Sequence, residues 1–374
     1  MLRLSKASVN KDEISEIEKV FFGSTHFGLG KTVEQFECNI KDFLNSDYGV
    51  VAVNTGTSAL HLALEALNFP HGSEVLVPSI TFAASYVAIK QANLVPISCE
   101  VQYPNVHICP RDLEKRITNK TVAIMPVAYS GTDFDRFTLY QIAKRYNLRV
   151  IEDDAHAFGS LTQNGKSFGS EGDIICFSFD GIKNITCGEG GAILTSDKNL
   201  EYKLRIMRSL GIEKDVELRY KGQRAWEYDL NLLGYRYHMS NINAAIGIAQ
   251  LAKFSAFFSK KQQLVNNYIN AINYFNLKDK LIFTQKLSKD ICFHIFSCLL
   301  PKNIDRKQLM ENLKQHGIET GFHYVPNHLH TLFKANYSLP IAEEIGSRLI
   351  SLPFHVDLSF DSPEYIIKKI SEYI

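Results

Sequence analysis

The chain has 374 residues, of which 45% are hydrophobic and 22% are charged, a composition typical of a globular protein large enough for two domains. Its 41 basic and 40 acidic residues leave a formal charge of +1, so no overall field favours binding to nucleic acid or to anionic lipid. A small-molecule partner is therefore the expectation.

The N-terminal segment 1–11 carries charges and lacks the apolar core of a signal peptide. No later stretch stays apolar for the roughly 18 residues that a membrane span needs. Together these features predict a cytoplasmic protein without a membrane partner. The seven cysteines are scattered and form no CxxC pairs, which indicates reduced and mostly structural thiols.

From about Tyr48 onward, short β-branched runs alternate with longer helical patterns, which is the signature of a parallel sheet covered by helices. The predicted strands are Gly49–Val53, Glu74–Val77, Val95–Cys99, Thr121–Val127, Arg149–Glu152, Asp173–Phe179 and Gly191–Thr195. Helices are predicted over Ser58–Leu67 and Leu139–Tyr146, because apolar residues recur there on one face. His61 falls on the face of the first helix that is expected to be exposed.

A single long helix is predicted over Met239–Phe258, and the sequence after it changes to shorter, more polar elements. This change predicts a large domain over residues 1–250, with the N-terminal segment, and a small α+β domain over residues 251–374. The small domain is predicted from strand-like Cys292–Leu300 and from helices over Arg306–His316 and Pro363–Tyr373.

The residues that follow predicted strands have the first claim on function, because ligands of open parallel sheets bind at the carboxyl ends of the strands. After the first predicted strand the chain reads Asn54-Thr55-Gly56-Thr57-Ser58 and leads directly into a helix. Backbone amides, hydroxyls and the positive end of the helix dipole make such a turn a phosphate-binding site. Taken alone, the turn is more commonly an ordinary N-cap.

A carboxylate cluster, Asp153-Asp154-Ala155-His156, follows the apolar strand that ends at Glu152. A carboxylate at that position can keep a pyridine nitrogen protonated, so that a cofactor ring accepts electrons. Paired acids at a strand end are about as often a metal site or a cap. His156 would suit a metal, but no further ligand stands at a helical or turn spacing nearby.

A lysine and a glycine-rich run follow the predicted strand that ends at Phe179, in the segment DGIKNITCGEGG. Lys183 in this loop can lose its proton when it is poorly solvated, and can then form a Schiff base with an aldehyde. The glycines allow the backbone to turn beside a flat ring where a Cβ would clash. A solvated surface lysine is the ordinary alternative, and it suits these flanking residues poorly.

These segments together resemble the sugar aminotransferases of the DegT/DnrJ/EryC1/StrS family. The motifs that carry the resemblance, in the family's order and spacing, are NTGTSALHLAL, VPSITFAAS, VIEDDAHAFGS, FSFDGIKNITCGEGGAILTSD, GYRYHMSNINAAIGIAQL and SLPFHVDLS. The resemblance implies the PLP-dependent transferase fold type I (aspartate aminotransferase-like), with a large, mostly parallel sheet domain and a smaller α+β C-terminal domain. It also implies pyridoxal 5'-phosphate as cofactor and a homodimer with shared active sites.

The resemblance assigns roles to individual residues. Lys183 matches the Schiff-base lysine and Asp153 matches the partner of the pyridine nitrogen, which makes these two the catalytic residues. His156 stands where the family has Gln or His near the oxygen on the cofactor ring, and Phe82 matches an aromatic that stacks on the ring. The positions that match the phosphate-binding turn are Gly56, Thr57, Ser58 and Ser178.

Two further segments resemble family loops. Gly234–His238 resembles a segment that reaches the phosphate of the partner subunit, but it departs from the family's usual Gly-Phe-Asn-Tyr-Arg. Arg236 and His238 are therefore both candidates for that contact. The run 321–328 resembles the substrate-side loop, of which half or more is expected to be scaffold. Its candidate substrate-binding residues are His323, Tyr324 and His328.

Some relatives replace the lysine by histidine and are dehydratases, so the presence of Lys183 favours amino transfer. The resemblance implies L-glutamate as donor and a nucleotide-linked keto sugar as acceptor. The favoured acceptor is dTDP-4-keto-6-deoxyglucose, giving dTDP-4-amino-4,6-dideoxyglucose for the O-antigen of lipopolysaccharide. A 3-keto sugar and a UDP or GDP carrier stay open.

Two rival classes are weaker. A regulator that senses pyridoxal phosphate would be expected to carry a DNA-binding module or a basic stripe, and neither is visible. A nicotinamide-dependent oxidoreductase would suit the alternating pattern, but no G-x-G-x-x-G follows the first strand.

Overall fold

A computed structural model describes residues 1–23, 26–213, 218 and 227–374 of the chain. The strands of its larger sheet are β1 Gly49–Val53, β2 Glu74–Pro78, β3 Val95–Cys99, β4 Thr121–Ile124, β5 Arg149–Asp153, β6 Ile174–Ser178 and β7 Gly191–Thr195. Within the described residues they form a seven-stranded sheet of order β1-β7-β6-β5-β4-β2-β3.

Neighbouring strands of this sheet run parallel except for β7, which is antiparallel to both β1 and β6. The predicted mostly parallel sheet is therefore confirmed, and β1, β5 and β6 end at the same edge. β4 stops at Ile124 rather than at the predicted Val127, because Pro126 has no N–H with which to continue the ladder. Val127 makes only an isolated bridge to Asp153.

Helices cover both faces of the sheet. They are α1 Lys11–Gly23, α2 Lys31–Phe43, α3 Gly56–Ala66, α4 Ala83–Gln91, α5 Pro110–Lys115, α6 Arg136–Arg145 and α7 Lys198–Met207. Along β1, Val50 and Ala52 pack into the core on one face, and Val51 and Val53 pack into the core on the other. Because the strands are buried on both faces, a ligand can reach them only at their ends.

The single helix predicted over Met239–Phe258 is two helices in the structure. They are α8 Asn241–Ala252 and α9 Phe254–Tyr274, bent by 60° across Lys253. Gly247 of α8 lies so close to Phe36 that a Cβ would be 2.6 Å from its ring, whereas Phe254 of α9 packs on the loop after β5. The two halves have different neighbours, and the chain turns between them.

None of the described helices is by itself long and apolar enough to cross a membrane; α8 and α9 pass that test only as a bent pair, by length and composition.

The C-terminal part has a smaller sheet and a core of its own. Its elements are β8 Ile282–Phe283, β9 Phe296–Leu299, α10 Arg306–Gln315, α11 Pro340–Arg348, β10 Leu349–Leu352 and α12 Ser362–Ser371. The antiparallel order is β10-β9-β8, and α9 and α12 pack on this sheet. Single 3-10 turns lie at Tyr129–Gly131, Asn327–Leu329 and Thr331–Phe333. The division into residues 1–250 and 251–374 stays a prediction. The backbone of Leu2, near the N-terminus, forms hydrogen bonds with the backbone of Gly317 and of Glu319 in the C-terminal part.

His61 of α3 is buried, although the periodicity of the helix predicted an exposed residue. It is only 4% exposed, and its Nδ1 lies 3.0 Å from the hydroxyl of Tyr237. The rings of Tyr235 and Tyr237 stack at 5.0 Å and stand beside the imidazole. The segment that precedes α8 thus covers this face of α3, which the pattern of α3 alone could not indicate.

Candidate active site

A cavity of about 500 Å³ opens at the edge where β1, β5 and β6 end. Its lining includes nine of the residues predicted from the sequence: Gly56, Thr57, Phe82, Asp153, His156, Ser178, Lys183, His323 and Tyr324. Residues far apart in the chain meet here because parallel strands place their carboxyl ends together. Four predicted residues do not line the cavity: Ser58, Arg236, His238 and His328.

The N-terminus of α3 forms one wall of the cavity. Thr55 caps the helix by accepting a hydrogen bond from the N–H of Ser58 at 3.0 Å, and the two hydroxyls lie 2.8 Å apart. The first turn of a helix leaves N–H groups without intrahelical partners, so it attracts an anion. Gly56 lies against β6, where a Cβ would be 2.7 Å from that of Ser178. This close approach brings the Ser178 hydroxyl beside the turn.

Asp153 and Asp154 lie in different surroundings. Asp153 lines the cavity, and its carboxylate accepts hydrogen bonds from Ser85 Oγ at 2.7 Å and from the N–H of Ala155 at 3.3 Å. Burial raises its pKa, while these hydrogen bonds and Lys183 oppose the rise. Asp154 is fully buried outside the cavity, and neither of its carboxyl oxygens has a hydrogen-bond partner in the described part of the chain. Burial and the neighbouring Glu152 raise the pKa of Asp154 well above its usual value.

Lys183 lies in the loop between β6 and β7. The residue as a whole is half-buried, but its amino group extends into the cavity. Removal from water lowers the pKa of that group to about 8, although the carboxylates of Asp153 and Asp180 oppose the shift. A substantial fraction of the amine is therefore neutral near physiological pH, which is the form that attacks an aldehyde.

The hydrogen bonds of His156 define its tautomer. Its Nδ1 faces the N–H of Ser130 at 3.3 Å and must act as acceptor, so the proton of the neutral ring is on Nε2. That Nε2 lies 3.2 Å from the hydroxyl of Tyr324. Burial and the charge of Lys183 lower the pKa of His156 well below its usual value, which keeps the ring neutral.

His294 also lines the cavity, and the sequence analysis missed it. Its Nε2 lies 3.5 Å from Nζ of Lys183, and its ring centroid lies 4.4 Å from that of His156. The available signal was a single imidazole inside a run, residues 291–300, that is apolar apart from it and Ser297. Such a residue is usually core, and only its position in space identifies it.

The remaining predicted residues differ in their surroundings. Phe82 is 57% exposed, and its ring lies 5.6 Å from that of Tyr324 at the mouth of the cavity. His323 Nδ1 lies 2.8 Å from Ser351 Oγ, and burial lowers the pKa of His323 to about 4. His328 is held elsewhere, with Nδ1 2.6 Å from Ser79 Oγ and Nε2 3.2 Å from a Glu343 carboxylate oxygen. Of the three predicted substrate-binding residues, His323 and Tyr324 line the cavity and His328 does not, and their contact with a substrate stays a prediction.

The segment before α8 lies beside β1 and outside the cavity. Its backbone is fixed there, since the N–H of Asn54 donates to the carbonyl of Tyr237 at 2.7 Å and His238 bridges to Val53. The side chain of Arg236 is exposed. Among the described residues that line the cavity, Lys183 is the only lysine or arginine. The anion site at α3 therefore has no permanent positive side chain from its own chain within that lining.

The site fits pyridoxal phosphate: a helix N-terminus suits the phosphate, a buried carboxylate suits the ring nitrogen, and an amine of lowered pKa suits the aldehyde. The described residues contain no group of three or more His, Cys, Asp or Glu residues arranged to hold a metal ion.

Comparisons with known proteins agree with this geometry. The chain matches the DegT/DnrJ/EryC1/StrS aminotransferase family over residues 7–371. It is 38% identical over 351 residues to GDP-perosamine synthase of Escherichia coli O157:H7, covering 92% of this chain and 90% of that protein.

Solved structures give the same result. Helicobacter pylori PseC, an aminotransferase involved in the biosynthesis of pseudoaminic acid, superposes with a TM-score of 0.90 at 26% identity and covers 100% of this chain and 98% of its own. The sugar aminotransferase CalS13 of Micromonospora echinospora superposes with a TM-score of 0.88 at 25% identity over 100% of both chains.

Fold and site together define a fold type I, pyridoxal-phosphate-dependent transferase. The chain belongs to the DegT/DnrJ/EryC1/StrS aminotransferase family, as the motifs implied, and is a sugar aminotransferase.

Proposed function

We propose that the protein transfers the amino group of L-glutamate to the keto group of a nucleotide-linked 4-keto-6-deoxyhexose. The observation that carries the proposal is one cavity that joins the Lys183 amine, the Asp153 carboxylate and the N-terminus of α3. When bound, pyridoxal phosphate carries the amino group from donor to acceptor and lets its ring take up electrons from the reacting carbon.

Lys183 serves this chemistry in two ways. Its neutral amine, which the pKa of about 8 makes available, would hold the cofactor through the aldehyde, with release of water, before the donor arrives. Once displaced by the amino acid, Nζ would move the proton from the α-carbon of L-glutamate to the C4′ carbon of the cofactor. With the keto sugar the proton moves in the reverse direction.

Asp153 and His156 orient and polarise the ring. The Asp153 carboxylate, held by Ser85 and the Ala155 N–H, keeps the ring nitrogen protonated by electrostatic attraction. His156 and Tyr324 lie 3.2 Å apart and supply polar groups for the oxygen on the ring. Phe82 stands at the cavity mouth, where its ring can cover one face of the cofactor.

A homodimer completes the phosphate site in this proposal. A phosphate carries nearly two negative charges at neutral pH, and a helix N-terminus supplies only about half a positive charge. Because Lys183 is occupied at the aldehyde, a second cation is required. Arg236 is exposed and outside its own cavity, so it is free to serve the site of a partner subunit. Its guanidinium stays charged and binds phosphate bidentately, which favours it over His238.

The nucleotide carrier is the finer part of the proposal. The relative named GDP-perosamine synthase supports a GDP-linked keto sugar as the first candidate. The second candidate is dTDP-4-keto-6-deoxyglucose, the acceptor favoured from the sequence. In either case we propose that the amino sugar serves a surface polysaccharide and that the enzyme acts in the cytoplasm.

A panel of acceptors tests the proposal. Holoenzyme is incubated with L-glutamate and with GDP-, dTDP- or UDP-linked 4-keto-6-deoxyhexoses, and products are identified by mass and by NMR. We expect an amino group at C4 and the highest kcat/KM for the GDP-linked sugar. Amination at C3, or a preference for a dTDP-linked sugar, would contradict the finer assignment. Failure of every keto sugar would contradict the proposed function.

A further inference from the structure

We infer that His294, at the entry to β9, is a positioning residue for Lys183 and holds its amino group whenever that group is not bound to the cofactor. The inference rests on the proposed function, because it takes Lys183 as the cofactor-binding lysine. It assigns to the C-terminal part of the chain a role in the chemistry that the motifs did not indicate.

The contact itself is specific. The only polar atom within hydrogen-bonding distance of Lys183 Nζ, among the residues that the structure describes, is Nε2 of His294 at 3.5 Å. At 3.5 Å the contact is at the long limit of a hydrogen bond. The carboxylates of Asp153 and Asp180 act on the amine through space instead. Without His294, the freed amine would lack a hydrogen-bond partner in this lining.

The backbone that carries His294 is anchored by hydrogen bonds, and the imidazole packs on that of His156. The backbone N–H of His294 donates to the carbonyl of Ser130 at 3.3 Å. Ser130 Oγ in turn donates to the carbonyl of Ile295 at 2.7 Å. Gln285 Nε2 donates to the same Ile295 carbonyl at 3.0 Å. Ser130 also donates its N–H to His156, whose ring packs on that of His294. These contacts place the imidazole beside the amino group of Lys183.

The protonation state of His294 suits either form of the lysine. Burial and the charge of Lys183 lower the pKa of His294 well below its usual value, so the ring is neutral. Its Nδ1 is buried and has no hydrogen-bond partner in the described part of the chain, so no second bond fixes the tautomer. Nε2 can accept from an ammonium group or donate to a neutral amine.

The ammonium and the neutral amine of Lys183 are not stabilised equally by His294. A hydrogen bond to an ammonium is stronger than one to a neutral amine, so His294 favours the charged lysine. It acts together with the titratable groups that face Lys183 from the neighbouring elements, which are Asp153, Asp180, His156 and His323. Removing the hydrogen bond while those groups stay in place should lower the pH at which the amine loses its proton.

Chemical labelling of the apoprotein tests this directly. His294→Phe keeps a ring but removes the hydrogen bond, and His294→Gln retains an amide that can replace it. Each protein is treated with a trace of acetic anhydride over a pH series, and the labelling of Lys183 is read by mass spectrometry against the exposed Lys302. We expect the labelling midpoint of Lys183 to fall by about one pH unit in His294→Phe and to return to within a few tenths of the wild-type value in His294→Gln.

Equal midpoints in wild type and in a His294→Phe protein that melts cooperatively would overturn the inference. If His294→Phe does not fold, His294→Leu replaces it in the same comparison. A merely structural role would lower the melting temperature and leave the midpoint unchanged. The readout needs no turnover, so a wild-type holoenzyme that fails to react with L-glutamate would contradict the proposed function and leave this result standing.

Discussion

Asp153 and Asp154 illustrate how two adjacent acids of one sequence acquire different chemistry. β5 ends at Asp153, which lines the cavity, whereas Asp154 follows the strand end and is enclosed next to Glu152 and Arg136. The sequence indicated that one acid of this pair would serve the ring nitrogen, but only the resemblance to a family assigned it to Asp153. Both side chains are buried, but only Asp153 lines the cavity, which supports that assignment.

We expect Asp153→Asn to reduce kcat by at least about a hundredfold, because a neutral amide cannot hold the ring nitrogen protonated. Asp154→Asn should retain activity near the wild-type level, since Asp154 does not line the cavity. Steady-state kinetics of the two variants with L-glutamate provide the comparison. Greater damage from Asp154→Asn would reverse the assignment.

The raised pKa of Asp154 predicts that the stability of the folded protein depends on pH. Its pKa is raised in the folded protein, so folding holds a proton that the unfolded chain releases above a pH of about 4. The cost to stability appears as pH rises from that value and is largest above the folded pKa. Asp154→Asn should therefore melt at the wild-type temperature near pH 4 and roughly 2 °C or more above it at pH 7.

The control for this measurement is Asp47→Asn, which changes an exposed carboxylate. Its melting temperature should follow that of the wild type at every pH. An Asp154→Asn protein that is less stable than wild type at pH 7 would show that the carboxylate makes favourable interactions after all.

At the same residue scale, some of the site lay beyond the reach of the sequence. Lys183 was predicted because it follows a strand end beside a glycine-rich run, and because that run matches a family motif. His294 and His61 carry no such local signature, since each stands in an apolar helical or strand pattern and is defined by neighbours from distant segments. His328 belongs to a predicted loop, but its contacts with Ser79 and Glu343 direct it away from the cavity.

At the scale of the elements, the turn from β1 into α3 depends on a glycine for steric reasons. A Cβ on Gly56 would lie 2.7 Å from Cβ and 2.9 Å from Oγ of Ser178, closer than packed atoms allow. The helix start would have to move away from β6, and the predicted phosphate site would widen. The N-terminus of α3 and the Ser178 hydroxyl would then no longer act on the same group.

Gly56→Ala should accordingly weaken binding of pyridoxal phosphate to the apoprotein by about tenfold or more, which corresponds to roughly 1.4 kcal/mol. Gly23→Ala is the matched control, because no atom lies within 4 Å of a Cβ built there. Titration of each apoprotein with the cofactor gives the two dissociation constants. Unchanged affinity in Gly56→Ala would refute the proposed role of this turn.

The elements themselves were largely predictable, and the exceptions have tertiary causes. Strand positions followed from short β-branched runs between helical patterns. β4 was the exception, since it ends at Ile124, before Pro126, rather than at the predicted Val127. The bend between α8 and α9 was not predictable from periodicity, because both halves are helical by pattern. Their separate packing partners, Phe36 for α8 and the loop after β5 for α9, decide the angle.

At the scale of the whole molecule, the proposed dimer rests on a positive charge that the described lining of the cavity does not supply. The described lining of the cavity contains no arginine, and Arg236 lies exposed on the segment that covers α3. The sequence indicated this segment by resemblance alone and left Arg236 and His238 as alternatives. Which of these two residues would contact the phosphate depends on the position of a second chain.

Subunit mixing tests the dimer. Lys183→Ala and Arg236→Ala proteins should each be inactive, and a mixed dimer should have one site with both defects and one with neither. Random exchange of equal amounts should therefore restore about a quarter of wild-type activity. In the control, mixing Lys183→Ala with Asp153→Asn leaves one defect in every site and should restore nothing. Verified mixed dimers of the first pair that stay inactive would exclude a cross-subunit role for Arg236.

The most direct test of the central claim is the visible absorption of the holoenzyme during addition of L-glutamate. A cofactor joined to Lys183 gives a visible band, and amino transfer to the cofactor should bleach it while 2-oxoglutarate appears. A nucleotide keto sugar should then restore the band. We predict this cycle for the wild type and its absence in a folded Lys183→Ala protein. A band that L-glutamate leaves unchanged, or appreciable turnover by Lys183→Ala, would contradict the account.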